Sequence, residues 1–403
     1  MQLTAYSTAD CRLAGWARST HQSALQEMLN LTSRPNIVSL ALGLPAAEFF
    51  PHAAIGEAAT QVLCRDPRAL QYGPQMERLK SHIVRLMRTR GVVCDETQIF
   101  ITAGAQQGMS LLARMLLDPG DEVIIEELIY SGIQQVIEPF RPKTITVVTD
   151  PESGMDVDMV ESVLRQSVRP AFIYAIPDGH NPVSVSMSRE KRIRLVELAR
   201  QYQVPIIEDD AYGFLHYESQ QIPPLRSLDD RFVFYIGTFS KILAPALRAG
   251  WIVAPQELMS RISIVKEASD IDTATFAQRI VSSYCDNETI SVRIAMLCRE
   301  YKSRRDAMLR ALKDNLAGMA SWRKPTNGFF VWVELSDRVD GTEFLKEAVR
   351  AEQVAFIPGA AFSISGGPRA ANCIRLNFSN PSEDVIADAV KRLGLVLERL
   401  QVK

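Results

Sequence analysis

From Ile99 onward, short apolar runs alternate with longer amphipathic stretches. Ile99–Thr102, Glu122–Glu126 (EVIIE), 171–176 (AFIYAI), 205–208 (PIIE), 231–236 (RFVFYI) and 251–254 read as strands. They show no strict period-two alternation, the pattern of strands buried on both faces. Helical spacing follows at 104–117 and Arg189–Tyr202. Strands alternating with helices predict an α/β domain around a parallel sheet. After about residue 290 the pattern changes. A long helix over 292–316 leads to a strand over 328–335, and 393–400 closes the chain as a helix. These pieces predict a smaller α+β domain.

The length of 403 residues fits two domains, or one large domain with an appendage. At 47% apolar and 23% charged residues, with a net charge of −2, the composition is that of an ordinary soluble globular protein. No basic excess points to nucleic acid. The six cysteines are scattered without a C-x-x-C pair, which predicts reduced thiols and a cytoplasmic location. The five histidines lack ligand spacing, so no metal is expected. The first 16 residues lack an apolar signal core. No stretch approaches the roughly 18 apolar residues of a membrane span, so no membrane partner is expected.

In open parallel sheets ligands bind beyond the carboxyl ends of the strands. Polar residues cluster there. Ala103-Gly104-Ala105-Gln106-Gln107-Gly108 opens a helix, whose free N–H groups suit an anion as well as a plain turn. Pro177-Asp178-Gly179-His180-Asn181-Pro182 follows the third run; proline holds Asn181 extended. Glu208-Asp209-Asp210-Ala211-Tyr212 puts three acids at a buried strand end, which is costly without a cation. Gly237-Thr238-Phe239-Ser240-Lys241 precedes Ala244-Pro245-Ala246-Leu247-Arg248. Hydroxyls and Arg suit a phosphate, and a partly desolvated Lys suits an imine.

These residues resemble the fold-type I aminotransferases of class I/II, with the aminoadipate/kynurenine aminotransferase-like branch closest. The similarity runs from SALQEMLNLTSRPNIVSLALGLPAAEFFP to PGAAF and CIRLNFS, and is most specific in GTFSKILAPALRAGW and IIEDDAYGFL. It implies a mostly parallel seven-stranded sheet flanked by helices. An arm over 1–45, a large domain over 46–288 and a small domain over 289–403 go with it. It also implies pyridoxal 5'-phosphate as cofactor, held as an aldimine on Lys241, which then moves the substrate Cα proton. By the same resemblance, Asp209 pairs with the pyridinium nitrogen, keeping the ring an electron sink. Tyr212 and Asn181 would bond the phenolic oxygen, and Tyr130 would stack on the ring. Thr238, Ser240, Arg248, Ala105 and Gln106 would hold the phosphate. Arg375 would take the substrate α-carboxylate as a bidentate pair, with Leu42 and Gly43 bordering the substrate. Tyr72, in LQYGP, would reach the partner subunit's phosphate, which implies a homodimer with shared sites.

Departures from the family pattern gather near the substrate. Asn-Pro-Thr-Gly becomes Asn181-Pro182-Val183-Ser184, losing a glycine tolerant of positive φ, so another loop path is expected. Asp178-Gly179-His180 replaces an aromatic–Gln pair, and His180 is expected to face outward, the alternative being an acid or base in the site. Gln26 stands where relatives use Arg for an acidic side chain. Leu42 replaces a glycine and is expected to narrow the pocket. Asn327-Gly328 replaces paired glycines. The leading expectation is transfer of an amino group from an L-amino acid to a 2-oxo acid. The alternative is elimination, replacement, cyclisation or oxidation on the same cofactor. A third reading, a non-catalytic regulator, fits poorly, because the similar region begins near Met1 and leaves no room for a DNA-binding domain.

Overall fold

The computed structural model describes residues 14–19, 36–166, 168–218, 221–287, 290–364 and 370–401. Its main sheet has seven strands: β1 (Ile99–Thr102), β2 (Glu122–Glu126), β3 (Lys143–Val147), β4 (Phe172–Ala175), β5 (Ile206–Asp209), β6 (Val233–Thr238) and β7 (Gly250–Val253). Their order is β1-β7-β6-β5-β4-β2-β3. Every pair is parallel except those of β7, which runs antiparallel to β1 and β6. Sequence periodicity does not reveal that reversal. Its cause is the short connection: residues 239–249 hold a turn closed by Leu243 N–H to Phe239 O and the three-residue turn Pro245–Leu247, with no α-helix, whereas a parallel crossover needs about a dozen residues or more, usually with a helix. Strand β3 escaped the reading of apolar runs because it is an edge strand whose first two residues, Lys143 and Thr144, are exposed.

The central strands are apolar on both faces, which explains the missing alternation. Val123, Ile125, Phe172, Tyr174 and Ile207 pack to one side with Met109, Leu112 and Ile262. Their neighbours Ile124, Ile173, Ala175 and Ile206 pack to the other with Val160, Leu195 and Leu198. Each such buried side chain contributes about 1.5–3 kcal/mol of transfer free energy, so both layers of helices are held firmly against the sheet.

A second sheet of four antiparallel strands follows: β8 (Ala320–Trp322), β9 (Phe330–Leu335), β10 (Ile357–Pro358) and β11 (Cys373–Asn377), in the order β8-β9-β11-β10. Helix Glu383–Gln401 closes it and begins ten residues before the expected 393. The expected domain boundary, 288–289, lies outside the described residues. On its far side helix Ile290–Leu316 serves both parts. Arg293 near its start donates to Ile242 O and Phe49 O. Leu312 and Leu316 near its end join one apolar cluster that runs from Leu79 through Trp251 to Leu393. Of the expected arm, Val38–Ser39 pairs in parallel with Val354–Ala355, and Leu40 O accepts from Asn377 N at 2.7 Å. Gln26 lies outside the described residues.

Candidate active site

The loops that leave β4, β5 and β6 meet at the carboxyl ends of those strands and enclose a cavity of about 210 Å³. Asn181, Asp209, Tyr212, Thr238, Ser240 and Lys241 line it, together with Ala105, Gln106, Tyr130 and Arg248. A larger recess of about 890 Å³ lies beside Val183, Ser184 and Trp332. Its cations Arg323 and Lys324 are paired with Glu152 and Glu218, and its aspartate, Asp178, is held by Arg90 and Arg192. The smaller cavity carries the chemistry.

The three consecutive acids after β5 meet three different ends. Glu208 accepts the backbone N–H groups of Leu225 and Arg226 at 2.6 and 2.8 Å, and burial pushes it up to about 8. Asp210 accepts from Tyr235 and faces Arg90 at 3.2 Å. Asp209 is 5% exposed. Its Oδ2 accepts the Tyr174 hydroxyl at 2.6 Å, while its Oδ1 is buried with no hydrogen-bond partner among the described residues. Burial raises its carboxyl to about 6. One carboxylate oxygen is therefore left for a cationic N–H.

One side of the cavity is built for an anion. Gly104, at φ +87, caps helix Ala105–Leu116, so the first N–H groups of that helix are free. Thr238 Oγ1 lies 3.0 Å from Ser240 Oγ and accepts from Ser240 N at 3.1 Å. Arg248, in the left-handed region at φ +48, donates Nη2 to Ala103 O at 2.8 Å. A β-carbon on Gly104 would stand 2.7 Å from that Nη2. Hydroxyls, a guanidinium and a helix N-terminus together match a phosphate.

Lys241 Nζ donates to Gly43 O at 2.9 Å and lies about 6 Å from the rings of Tyr212 and Phe329. Burial, with Arg375 and Arg248 nearby, pushes its amine down to about 8. Arg375 is buried between Phe330 and Phe362, with Cζ 3.8 and 4.6 Å from the ring centroids. It donates to Asn181 Oδ1 at 2.5 Å and to Ala41 O at 2.9 Å. Its Nε has no hydrogen-bond partner among the described residues, and burial holds its pKa down at about 9. Among the described residues no carboxylate neutralises this guanidinium, so it is poised for an incoming one. Tyr130, which stands where the family has Pro-Thr-Tyr, donates to Gln106 Oε1 at 3.3 Å.

A buried ionic network fixes the loops. Arg90 Nη2 lies 2.8 Å from Asp178 Oδ2, and Arg192 Nη2 lies 2.8 Å from Asp178 Oδ1. Burial alone would raise Asp178, but the two guanidinium groups outweigh it and hold it at about 2. Arg90 thus ties the loop carrying Asn181 to the one that follows Asp209 and carries Tyr212.

Several expectations need correction. His180 does not face outward: it is 1% exposed and points at Glu126. Ser184, which stands where the family has glycine, itself takes φ +62. Leu42 does not line the cavity; its side chain packs into the large core, and Gly43 borders the lysine instead. A β-carbon at Gly43 would stand 2.5 Å from Phe330 Cζ. Tyr72, expected at a partner subunit's phosphate and not at its own chain's, is 76% exposed and lines a separate recess with Asp272 and Thr273, which leaves that expectation standing. Sequence reasoning missed Tyr174 and Phe362 altogether. The lone hydroxyl in the strand AFIYAI was the available signal for the first.

The cavity fits pyridoxal phosphate on its own geometry. It offers a depressed amine, a carboxylate oxygen without a partner among the described residues, and an anion corner in the same lining. A family model described as aminotransferase class I and II matches residues 36–393. The aromatic-amino-acid aminotransferase 1 of Thermococcus litoralis is 37% identical over 92% of this chain and 90% of its own length. The 2-aminoadipate transaminase of Thermus thermophilus is 33% identical over 94% of each. A solved alpha-aminoadipate aminotransferase from Thermus thermophilus, complexed with N-(5'-phosphopyridoxyl)-L-leucine, is 31% identical. It has a TM-score of 0.89, over 97% of this chain and 98% of that one. Amino-group transfer is the activity these names share, and they do not favour elimination or cyclisation. With near-complete coverage by model and relatives alike, the chain belongs to the aminotransferase class I and II family and is a pyridoxal-phosphate-dependent aminotransferase.

Proposed function

We propose that the residues of this cavity divide the work of amino transfer as follows. Bound pyridoxal phosphate supplies a cationic ring that accepts the electron pair left at the substrate Cα. Lys241 anchors the cofactor and carries the proton to and from that carbon; an amine near pH 8 is poised for both directions. Asp209 holds the ring N–H through its unpartnered Oδ1. Tyr212 and Asn181 donate to the ring oxygen, and Tyr130 covers the ring face. Thr238, Ser240, Arg248 and the start of helix Ala105–Leu116 take the phosphate. Arg375 takes the amino-acid carboxylate. The observation that carries this reading is the unpaired Asp209 oxygen in the same small cavity as the depressed Lys241 amine.

We further propose an arm over 1–45, a large domain over 46–288 and a small domain over 289–403, assembled as a homodimer with shared sites. The exposed Tyr72 supports this, as a residue able to reach a second copy's phosphate. The scattered cysteines, of which Cys64, Cys94, Cys285 and Cys298 are free, support a cytoplasmic setting. Gln26 at the usual Arg position supports donors without a side-chain carboxylate. Incubation with an amino-acid panel and 2-oxoglutarate or pyruvate should convert aromatic or apolar donors fastest. Absence of amino transfer from every donor would overturn the proposal, as would product formed without a 2-oxo-acid acceptor.

The anion corner makes its own prediction. In Gly104→Ala the new β-carbon meets Arg248 Nη2, and φ +87 is unfavourable for alanine. A strain of about 1–3 kcal/mol should weaken the apoprotein's affinity for pyridoxal phosphate about tenfold or more. Spectroscopic titration reads it directly, and an unchanged Kd would place the phosphate elsewhere.

A further inference from the structure

His180 and Glu126 have no part in the chemistry above, yet each is 1% exposed. His180 Nε2 lies 3.1 Å from Glu126 Oε2. Among the described residues no other basic side chain lies within ion-pair distance of Glu126, and neither its Oε1 nor either ring nitrogen of His180 makes a hydrogen bond of regular geometry, so the two side chains meet by proximity alone. A carboxylate taken out of water is costly unless a partner offsets it, and here the imidazole is that partner. Backbone bonds clamp the same histidine. Its N–H donates to Val185 O at 2.8 Å, and its carbonyl accepts from Ser184 N at 2.5 Å. Glu126 ends β2, the neighbour of β4 in the sheet, and the chain leaving β4 leads to His180. The next residue is Asn181, whose Oδ1 holds Arg375 Nη1 at 2.5 Å. A connected path therefore runs from the strand end of β2 through His180 and Asn181 to Arg375.

We propose that the His180–Glu126 pair is a positioning device for the carboxylate site. It fixes the Asn181 loop so that the amide holds Arg375 in place for the amino-acid donor. The proposal rests on the reading of Arg375 as the α-carboxylate ligand. Removing the imidazole leaves Glu126 alone in the interior; the loop then loosens to admit water, and Arg375 loses its fixed partner.

The test is steady-state kinetics of the holoenzyme with a working donor, comparing His180→Ala, His180→Gln, Glu126→Gln and Arg375→Lys. His180→Ala should raise the donor KM about tenfold, with kcat within about threefold and the cofactor absorbance retained. His180→Gln, which keeps a polar donor beside Glu126, should recover most of that loss. The effects of His180→Ala and Glu126→Gln should fail to add in the double variant, as expected of groups in direct contact. If His180→Ala does not fold, His180→Gln against the shorter His180→Asn carries the same comparison. A wild-type donor KM in His180→Ala, or additive effects of the two sites, overturns the proposal while leaving Arg375 untouched. An unchanged donor KM in Arg375→Lys overturns the carboxylate reading itself, and the proposal with it.

Discussion

Lys241→Ala should lose turnover by about 10³- to 10⁴-fold or more, the scale of removing a positioned acid–base group that is also a covalent anchor. The side chain sits in a cavity whose polar groups leave few alternatives. Asp209 faces the same space but is already bonded to Tyr174. The Tyr212 hydroxyl is pushed far above its ordinary value by burial, so it is a poor base near neutral pH. The visible absorbance of the lysine-linked cofactor should vanish with the amine. Retention of turnover would refute the assignment of the anchor. The amine's depression gives a second readout in the wild type. Its folded pKa lies below the ordinary 10.5 because burial and two guanidinium groups disfavour the cation. The uncharged, reactive fraction therefore rises about tenfold per pH unit up to about pH 8 and levels off above it. The rate at which apoprotein captures pyridoxal phosphate should follow that curve. A rate still climbing at pH 10 would mean that the amine is not desolvated as the structure has it.

Much of the site was legible because strand ends in a buried sheet are the places where polar residues need a reason. Thr238, Ser240, Lys241 and Arg248 follow an apolar run, and three acids follow another. Buried sheet geometry and the cost of desolvation connect those facts without coordinates. What escaped has physical causes too. The direction of β7 depends on how 239–249 folds, and apolar runs carry no polarity. The choice among Glu208, Asp209 and Asp210 is made by backbone donors at Leu225 and Arg226 and by Arg90, all distant in sequence. Leu42 was read by its bulk, but its direction is set by the pairing of Val38–Ser39 with Val354–Ala355, which turns it into the core. His180 was read as a loop residue because loops usually lie at the surface. The β2 strand end supplies the Glu126 that draws it inward.

Asp209→Asn should lower kcat by about 10²- to 10³-fold, the range seen when a preorganised group facing developing charge is removed. It should also leave an apoprotein that is no less stable. In the cofactor-free protein burial raises the Asp209 carboxyl to about 6, above the ordinary 3.8. The charged form is the disfavoured one. The folded state holds the proton more tightly than the unfolded chain, so stability falls as pH rises between those two values. The loss amounts to about 3 kcal/mol for roughly two pK units at a fully buried group. A ring N–H against Oδ1 offsets that loss, and the offset is available only while the carboxylate is ionised. Wild-type affinity for pyridoxal phosphate should therefore weaken as pH falls through about 6. Asp209→Asn, which lacks that carboxylate, should bind weakly at all pH values and lose the step near pH 6, keeping only the dependence set by the Lys241 amine near 8. Tyr174 can still donate to the amide oxygen, so the geometry survives while the charge does not. Urea denaturation of the two apoproteins at pH 7 supplies the other half of the comparison. If the asparagine variant is markedly less stable, or keeps the wild-type pH profile of cofactor affinity, then Asp209 is a structural residue and the ring nitrogen is held by something else.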